Sequence, residues 1–154
     1  MSDQIAVDAS VSGAWVLDDE RTGASEWLLD RVLRGAVHLV VPCLWCYEMA
    51  NLLRTAAVRK RISERDALRA LLVVHNLPLE IVHPKPQNES AILVAALELG
   101  LTAYDAAYVN LAESRDIDLV TADRDLLGLQ ARFPWIRALD EFVRNAGHAS
   151  RGGR

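Results

Sequence analysis

Ile5-Ala6-Val7-Asp8-Ala9-Ser10 is a short apolar run that stops at a carboxylate, with a hydroxyl two residues further on. A buried strand handing over to a helix reads this way. The pattern returns near the other end, where Ile117 to Thr121 is followed by Ala122-Asp123. Between these two, Val37 to Val41 is a strand pattern that halts at Pro42, and Leu79 to Val82 runs into the turn His83-Pro84-Lys85-Pro86. Trp135 to Ala138 has the length of a fifth strand.

The segments between strands carry helical periodicity. Ser10 is placed to cap a short helix reaching Leu17, and Ser25 to Gly35 has Trp27, Leu28, Leu29, Val32 and Leu33 at helical spacing. Leu44 to Lys60 is helical again, and Ser63 opens a helix to Leu77 with Glu64 and Asp66 in its first turn. Asn88 is read as the cap of Glu89 to Leu99, which Gly100 ends. Thr102 starts a helix to Ser114, Asp123 one to Gln130, and Leu139 to Asn145 closes the domain. Strands alternating with helices imply an α/β sandwich around a mostly parallel sheet of four to five strands. One domain is expected over residues 1–145, followed by a flexible basic tail over 146–154.

Bulk composition agrees. The chain has 154 residues, enough for one domain with a core. It is 51% hydrophobic and 25% charged, which excludes a disordered chain. A net charge of −4 does not by itself announce a nucleic-acid binder. The N-terminus lacks a signal-peptide pattern, no apolar run is long enough to span a bilayer, and two cysteines cannot build a secreted disulfide framework. A cytoplasmic protein is expected.

Four acids stand where strands meet helices: Asp8, Glu48, Asp105 and Asp123. Each has an ordinary structural use. Asp8 and Asp123 can cap helices, Glu48 can be solvated, and Asp105 stands three after Thr102 in a capping-box pattern. Together they say more, because open α/β sheets bind ligands at the carboxyl ends of their strands, where all four fall. Carboxylates forced together repel unless a cation neutralises them, and oxygen-only ligands suit magnesium or manganese better than zinc. Ser10, Thr121 and Asn51 are placed to support such a site.

Four stretches carry a family resemblance. Ile5 to Ser10, Pro42-Cys43-Leu44-Trp45-Cys46-Tyr47-Glu48, Leu101-Thr102-Ala103-Tyr104-Asp105-Ala106-Ala107-Tyr108 and Leu119-Val120-Thr121-Ala122-Asp123-Arg124-Asp125 resemble, in order and spacing, the motifs of PIN-domain nucleases. Size and motif style are most similar to the VapC toxins of bacterial toxin–antitoxin pairs. The resemblance implies a three-layer α/β/α PIN-like domain and metal-dependent hydrolysis of RNA. Asp8 and Asp105 would be the direct ligands of Mg2+ (or Mn2+), with Glu48 and Asp123 completing the site. Water would attack in line, leaving a 5′-phosphate and a 3′-hydroxyl. A homodimer is also implied, as is an antitoxin whose helix would lie between the Ser25–Gly35 and Leu44–Arg61 helices.

Arg54, Arg59, Lys60, Arg61, Arg65 and Arg69 cluster on one helical hairpin, against only Glu64 and Asp66. They are either RNA contacts or a solvated face. Trp15 and Trp45 fit core packing better than base stacking. Two rivals remain. Cys43-Leu44-Trp45-Cys46 is a C-x-x-C where a strand meets a helix, as in a thiol–disulfide oxidoreductase. A receiver-like module also gathers acids on magnesium, yet it needs a late lysine and none follows Lys85.

Overall fold

The computed structural model describes residues 3–149. Strands β1 (Asp3–Val7), β2 (Val37–Pro42), β3 (Leu79–Val82), β4 (Asp118–Thr121) and β5 (Ile136–Ala138) form one sheet in the order β3-β2-β1-β4-β5. Every pairing is parallel: Ile5 stands opposite Leu39 on one side and Asp118 on the other, Val41 opposite Ile81, and Val120 opposite Arg137. Parallel neighbours require crossovers. These are α1 (Ala9–Gly13), α2 (Gly23–Leu33), α3 (Leu44–Val58), α4 (Glu64–His75), α5 (Pro86–Leu99), α6 (Ala103–Arg115) and α7 (Arg124–Leu127), with α8 (Leu139–Ala149) after β5.

Helix α6 lies across β1, β2 and β4 and packs on α5. Helices α2 and α8 pack on each other, α2 over β2 and α8 over β4 and β5. The result is a three-layer α/β/α fold. Both faces of the sheet are covered, so strands such as Leu39-Val40-Val41 read as unbroken apolar runs and are fully buried. Leu28 and Val32 of α2, Trp45 and Met49 of α3, and Tyr108 and Ala112 of α6 complete the core. No single helix among the described residues is long and apolar enough to cross a membrane.

Several boundaries differ from those read in the sequence, mostly for local reasons. Asp8, not Ser10, caps α1, accepting from the Val11 amide at 3.3 Å. That helix stops at Gly13, short of Leu17. Thr22 caps α2, and Ser25 is its partner inside the first turn: the Ser25 amide donates to Thr22 and the Thr22 amide to Ser25. Helix α5 starts at Pro86 because a proline φ suits a first turn, so Asn88 lies within it and accepts from the Lys85 amide at 3.1 Å. Gly100, at φ 67°, does end α5 in the left-handed region. Helix α7 stops at Leu127 instead of Gln130. Helix α8 runs to Ala149, and residues 150–154, the rest of the tail expected over 146–154, lie outside the described residues.

Candidate active site

Asp8 leaves the end of β1 and Asp123 the end of β4, the neighbouring strands at which the connection order reverses. Open α/β sheets place their ligand crevice there. Thr121 joins the two acids. Its buried hydroxyl donates to Asp8 Oδ2 at 2.5 Å and accepts from the Asp123 amide at 2.9 Å. Ser10 makes the second link, donating to Asp8 Oδ1 at 2.5 Å and accepting from the Ala122 amide at 3.0 Å. Asp8 is only 6% exposed. Burial pushes its carboxyl above the usual carboxylate range and the nearby Asp123 charge adds to that, while the hydrogen bonds from Ser10, Thr121 and the Val11 amide oppose it.

Glu48 projects from α3 and accepts a hydrogen bond from the hydroxyl of Tyr108 on α6. Burial raises the Glu48 carboxyl, the Tyr108 hydrogen bond lowers it, and the charges of Asp8, Asp105 and Asp123 all raise it. Glu48 therefore lies within electrostatic reach of all three other acids. Burial first, then the Glu48 charge, holds the Tyr108 phenol in its neutral, donating form. Asp105 also does the capping suggested by its spacing: Thr102 donates to its carboxylate at 2.6 Å and accepts from its amide at 3.1 Å. Asp123 caps α7, accepting from the Asp125 and Leu126 amides at 2.8 and 3.2 Å. Capping and a place at the strands' carboxyl edge are thus compatible in both acids.

Among the described residues none of the four acids pairs with Arg or Lys. Four mutually repelling oxygen donors without a cationic side chain fit a hard divalent cation chemically. The fit lies in the donor set. Among the described residues no three His, Cys, Asp or Glu side chains already converge as metal ligands do.

The remaining expectations divide. Ser10 and Thr121 hold Asp8 as supporting residues should, whereas Asn51 is exposed and makes no hydrogen bond to the acids among the described residues. Arg54, Arg59 and Lys60 are exposed. Arg61 is engaged elsewhere: its guanidinium clasps Asp19 at 2.7 and 2.8 Å and Glu20 at 2.7 Å, tying α3 to the segment before α2. That geometry makes Arg61 a structural clip, with its charge engaged by Asp19 and Glu20. Trp15 and Trp45 are core residues, donating to the Ser25 carbonyl and the Ser12 hydroxyl, each at 3.0 Å. Tyr108 is the residue the sequence reading left without a role. Its position three after Asp105, on the same helical face, was the available signal.

The two rivals gain no support. Cys43 and Cys46 are half-buried free thiols, and burial, then the neighbouring Cys43, pushes the Cys46 thiol up. A receiver-like module follows strand order 2-1-3-4-5, not the order found here.

The family model described as PIN domain matches residues 5–131, and the chain belongs to the PIN-domain family. The relatives it resembles include Ribonuclease VapC9 of Mycobacterium tuberculosis, 37% identical over 77% of this chain and 85% of that protein. Exonuclease VapC9 of Pyrobaculum aerophilum is 35% identical over 66% of this chain and 71% of that one. The crystal structure of PAE2754 from Pyrobaculum aerophilum superimposes with a TM-score of 0.70 at 30% identity, covering 96% of this chain and 99% of that one.

Proposed function

We propose that this chain is a magnesium- or manganese-dependent endoribonuclease, the toxin of a toxin–antitoxin pair. The observation that carries the chemistry is geometric: Asp8 and Asp123 leave adjacent strand ends, joined through Thr121, at an edge where no Arg or Lys among the described residues pairs with them, with Glu48, or with Asp105. Asp8 and Asp105 would hold the cation, with Glu48 and Asp123 beside them. The bound ion supplies acidity to water and charge stabilisation to the phosphate. The chain's own residues arrange this: Thr121 and Ser10 fix both oxygens of Asp8, and Tyr108 fixes Glu48. The names of the relatives favour RNA as substrate in one case and leave end-directed cleavage open in the other.

Total RNA incubated with antitoxin-free protein in magnesium, manganese or chelator, beside Asp105→Asn, tests the reading. Discrete metal-dependent fragments absent from the variant are expected, and cleavage of a circular RNA establishes attack within the strand. A folded protein that cuts no RNA in either metal refutes it.

An antitoxin is proposed on the same reading. Helix α2 packs on α8, while α3 packs on α1 and α4, and beside the expected seat between α2 and α3 the structure offers an apolar groove between α3 and α4. Leu53, Ala57, Val58, Leu68 and Leu71 line it, with Arg54 and Glu64 among them, as an amphipathic helix would require. The homodimer is proposed through Leu93, Val94 and Leu97, exposed together on α5. Leu97→Glu should yield a monomer by light scattering, and an unchanged mass would exclude that face.

A further inference from the structure

Beside the acidic edge lies a cavity of about 360 Å³ that the site above does not use. It sits where β2 and β3 end, walled by the start of α3, the loop into α5, and α6. Its size falls in the range of small-ligand sites. It shares two helices with the acids. Leu44, in its wall, is about one turn before Glu48 on α3, and Ala107 and Asn110 flank Tyr108 on α6.

Its chemistry is opposite to that of the edge next door. No Asp or Glu lines it among the described residues, while Lys85, His83 and Arg115 do. Arg115 is paired with Glu80 at 2.5 Å, which leaves the exposed Lys85 as the cation to meet an incoming anion. Helix α3 starts in this wall without a side-chain cap, so its positive end adds to the field. Leu44, Ile92 and Leu111 supply apolar wall. The half-buried Asn110 makes no side-chain hydrogen bond among the described residues, and its amide offers both a donor and an acceptor.

Gln87 and Asn88 also line the slot, Asn88 already accepting from the Lys85 amide, so an apolar slot with a free amide at Asn110 and a cation at Lys85, next to a phosphodiester-cleaving edge, matches a single nucleotide. Sequence-specific RNA recognition works on unstacked bases that stack on aromatic rings or Arg planes and are read along their edges, and His83 and Arg115 stand in this lining. We infer that this cavity takes the base next to the cleaved bond, with Asn110 reading its edge and Lys85 holding the adjoining phosphate. The inference rests on the ribonuclease reading and names the residues that set its sequence preference.

The test is cleavage of a randomised single-stranded RNA pool in magnesium, with fragment ends sequenced and KM measured on one favoured oligonucleotide. Wild type should show a base preference at one position beside the cut. Asn110→Ala should flatten that preference by about tenfold, the scale of one amide contact to a base edge, while cleavage persists. Lys85→Ala should raise KM and leave the preference intact. Ile92→Trp, which fills the cavity, should raise KM most; the two milder variants carry the test if it does not fold. Unchanged preference and KM in folded Asn110→Ala and Lys85→Ala overturn the inference and leave the ribonuclease reading standing. So does a wild type that cuts with no preference beside the break. A folded wild type that cuts nothing removes the reading and the inference together.

Discussion

Tyr108 on α6 donates its hydroxyl to Glu48 on α3, so two helices that are sixty residues apart at this point share one hydrogen bond at the acidic edge. The bond lowers the Glu48 carboxyl against burial and three like charges. Tyr108→Phe keeps the ring in the core and removes only that restraint, so the Glu48 pKa rises further. Loss of the ionised carboxylate then begins at higher pH, and the acid limb of the pH–rate profile should move upward. The lost hydrogen bond to a charged group should cost about 1–2 kcal/mol of stability. An acid limb that stays in place would detach Tyr108 from the chemistry.

Asp8→Asn should separate stability from activity. Burial raises the Asp8 carboxyl, and Glu48 is raised as well. A raised carboxyl means that the folded chain holds more protons than the unfolded chain between the ordinary carboxylate value and the raised one. Stability of the metal-free protein therefore falls as pH rises through that window. The neutral amide removes the cost at neutral pH. Cleavage should be abolished while Tm rises by ~2–4 °C, the shift that about 1 kcal/mol produces in a domain of this size. A lower Tm would mean that the hydrogen bonds with Ser10 and Thr121 outweigh the charge they hold.

Metal should act on stability through the same carboxylates. A ligand bound only by the folded state at about 100 times its Kd stabilises by about 2.7 kcal/mol. Magnesium or manganese should raise the wild-type Tm by several degrees, and chelator should reverse this and silence cleavage. Glu48→Gln should blunt the response. Because Asp8 and Glu48 are raised, acid should abolish the metal effect at a higher pH than ordinary carboxylates would require. A melting curve indifferent to both metals, with cleavage surviving chelator, would exclude a metal mechanism.

The C-x-x-C is expected to be silent. Cys43→Ser with Cys46→Ser should leave metal-dependent cleavage intact, since neither thiol contributes to the acidic edge. A dead but folded double variant would restore the redox reading.

The strands and the acidic edge were legible because both arise from near neighbours in sequence. A strand buried on both faces must be apolar throughout, and an acid just after it must stand at the carboxyl edge, as Asp8 and Asp123 do. Capping was less legible, because serine or asparagine in a first turn can be either the cap or its partner. Ser25 and Asn88 turned out to be partners, and Ser10 lies inside the helix capped by Asp8. Contacts set by helix crossing were not legible at all. Nothing near Glu48 in the chain announces Tyr108, and nothing in α2 announces that it packs on α8 and leaves α3 to α4.

Arg54 and Arg61 make the sharpest case of identical residues with different work. Arg54 lies within α3 and Arg61 in the turn into α4, and sequence does not tell their work apart. Arg61 holds Asp19 and Glu20, and those acids raise its own pKa, so its charge is already spent inside the molecule. Arg54 is exposed and faces solvent from the groove between α3 and α4. If the hairpin meets RNA, Arg54→Ala should raise KM and reduce the slope of log affinity against log salt by about one. Arg61→Ala should leave both unchanged and lower Tm instead, because it frees the segment before α2. Equal salt slopes for both variants and wild type would assign the hairpin to solvent or to the antitoxin groove, and would leave the cavity at Lys85 as the basic contact for the RNA backbone.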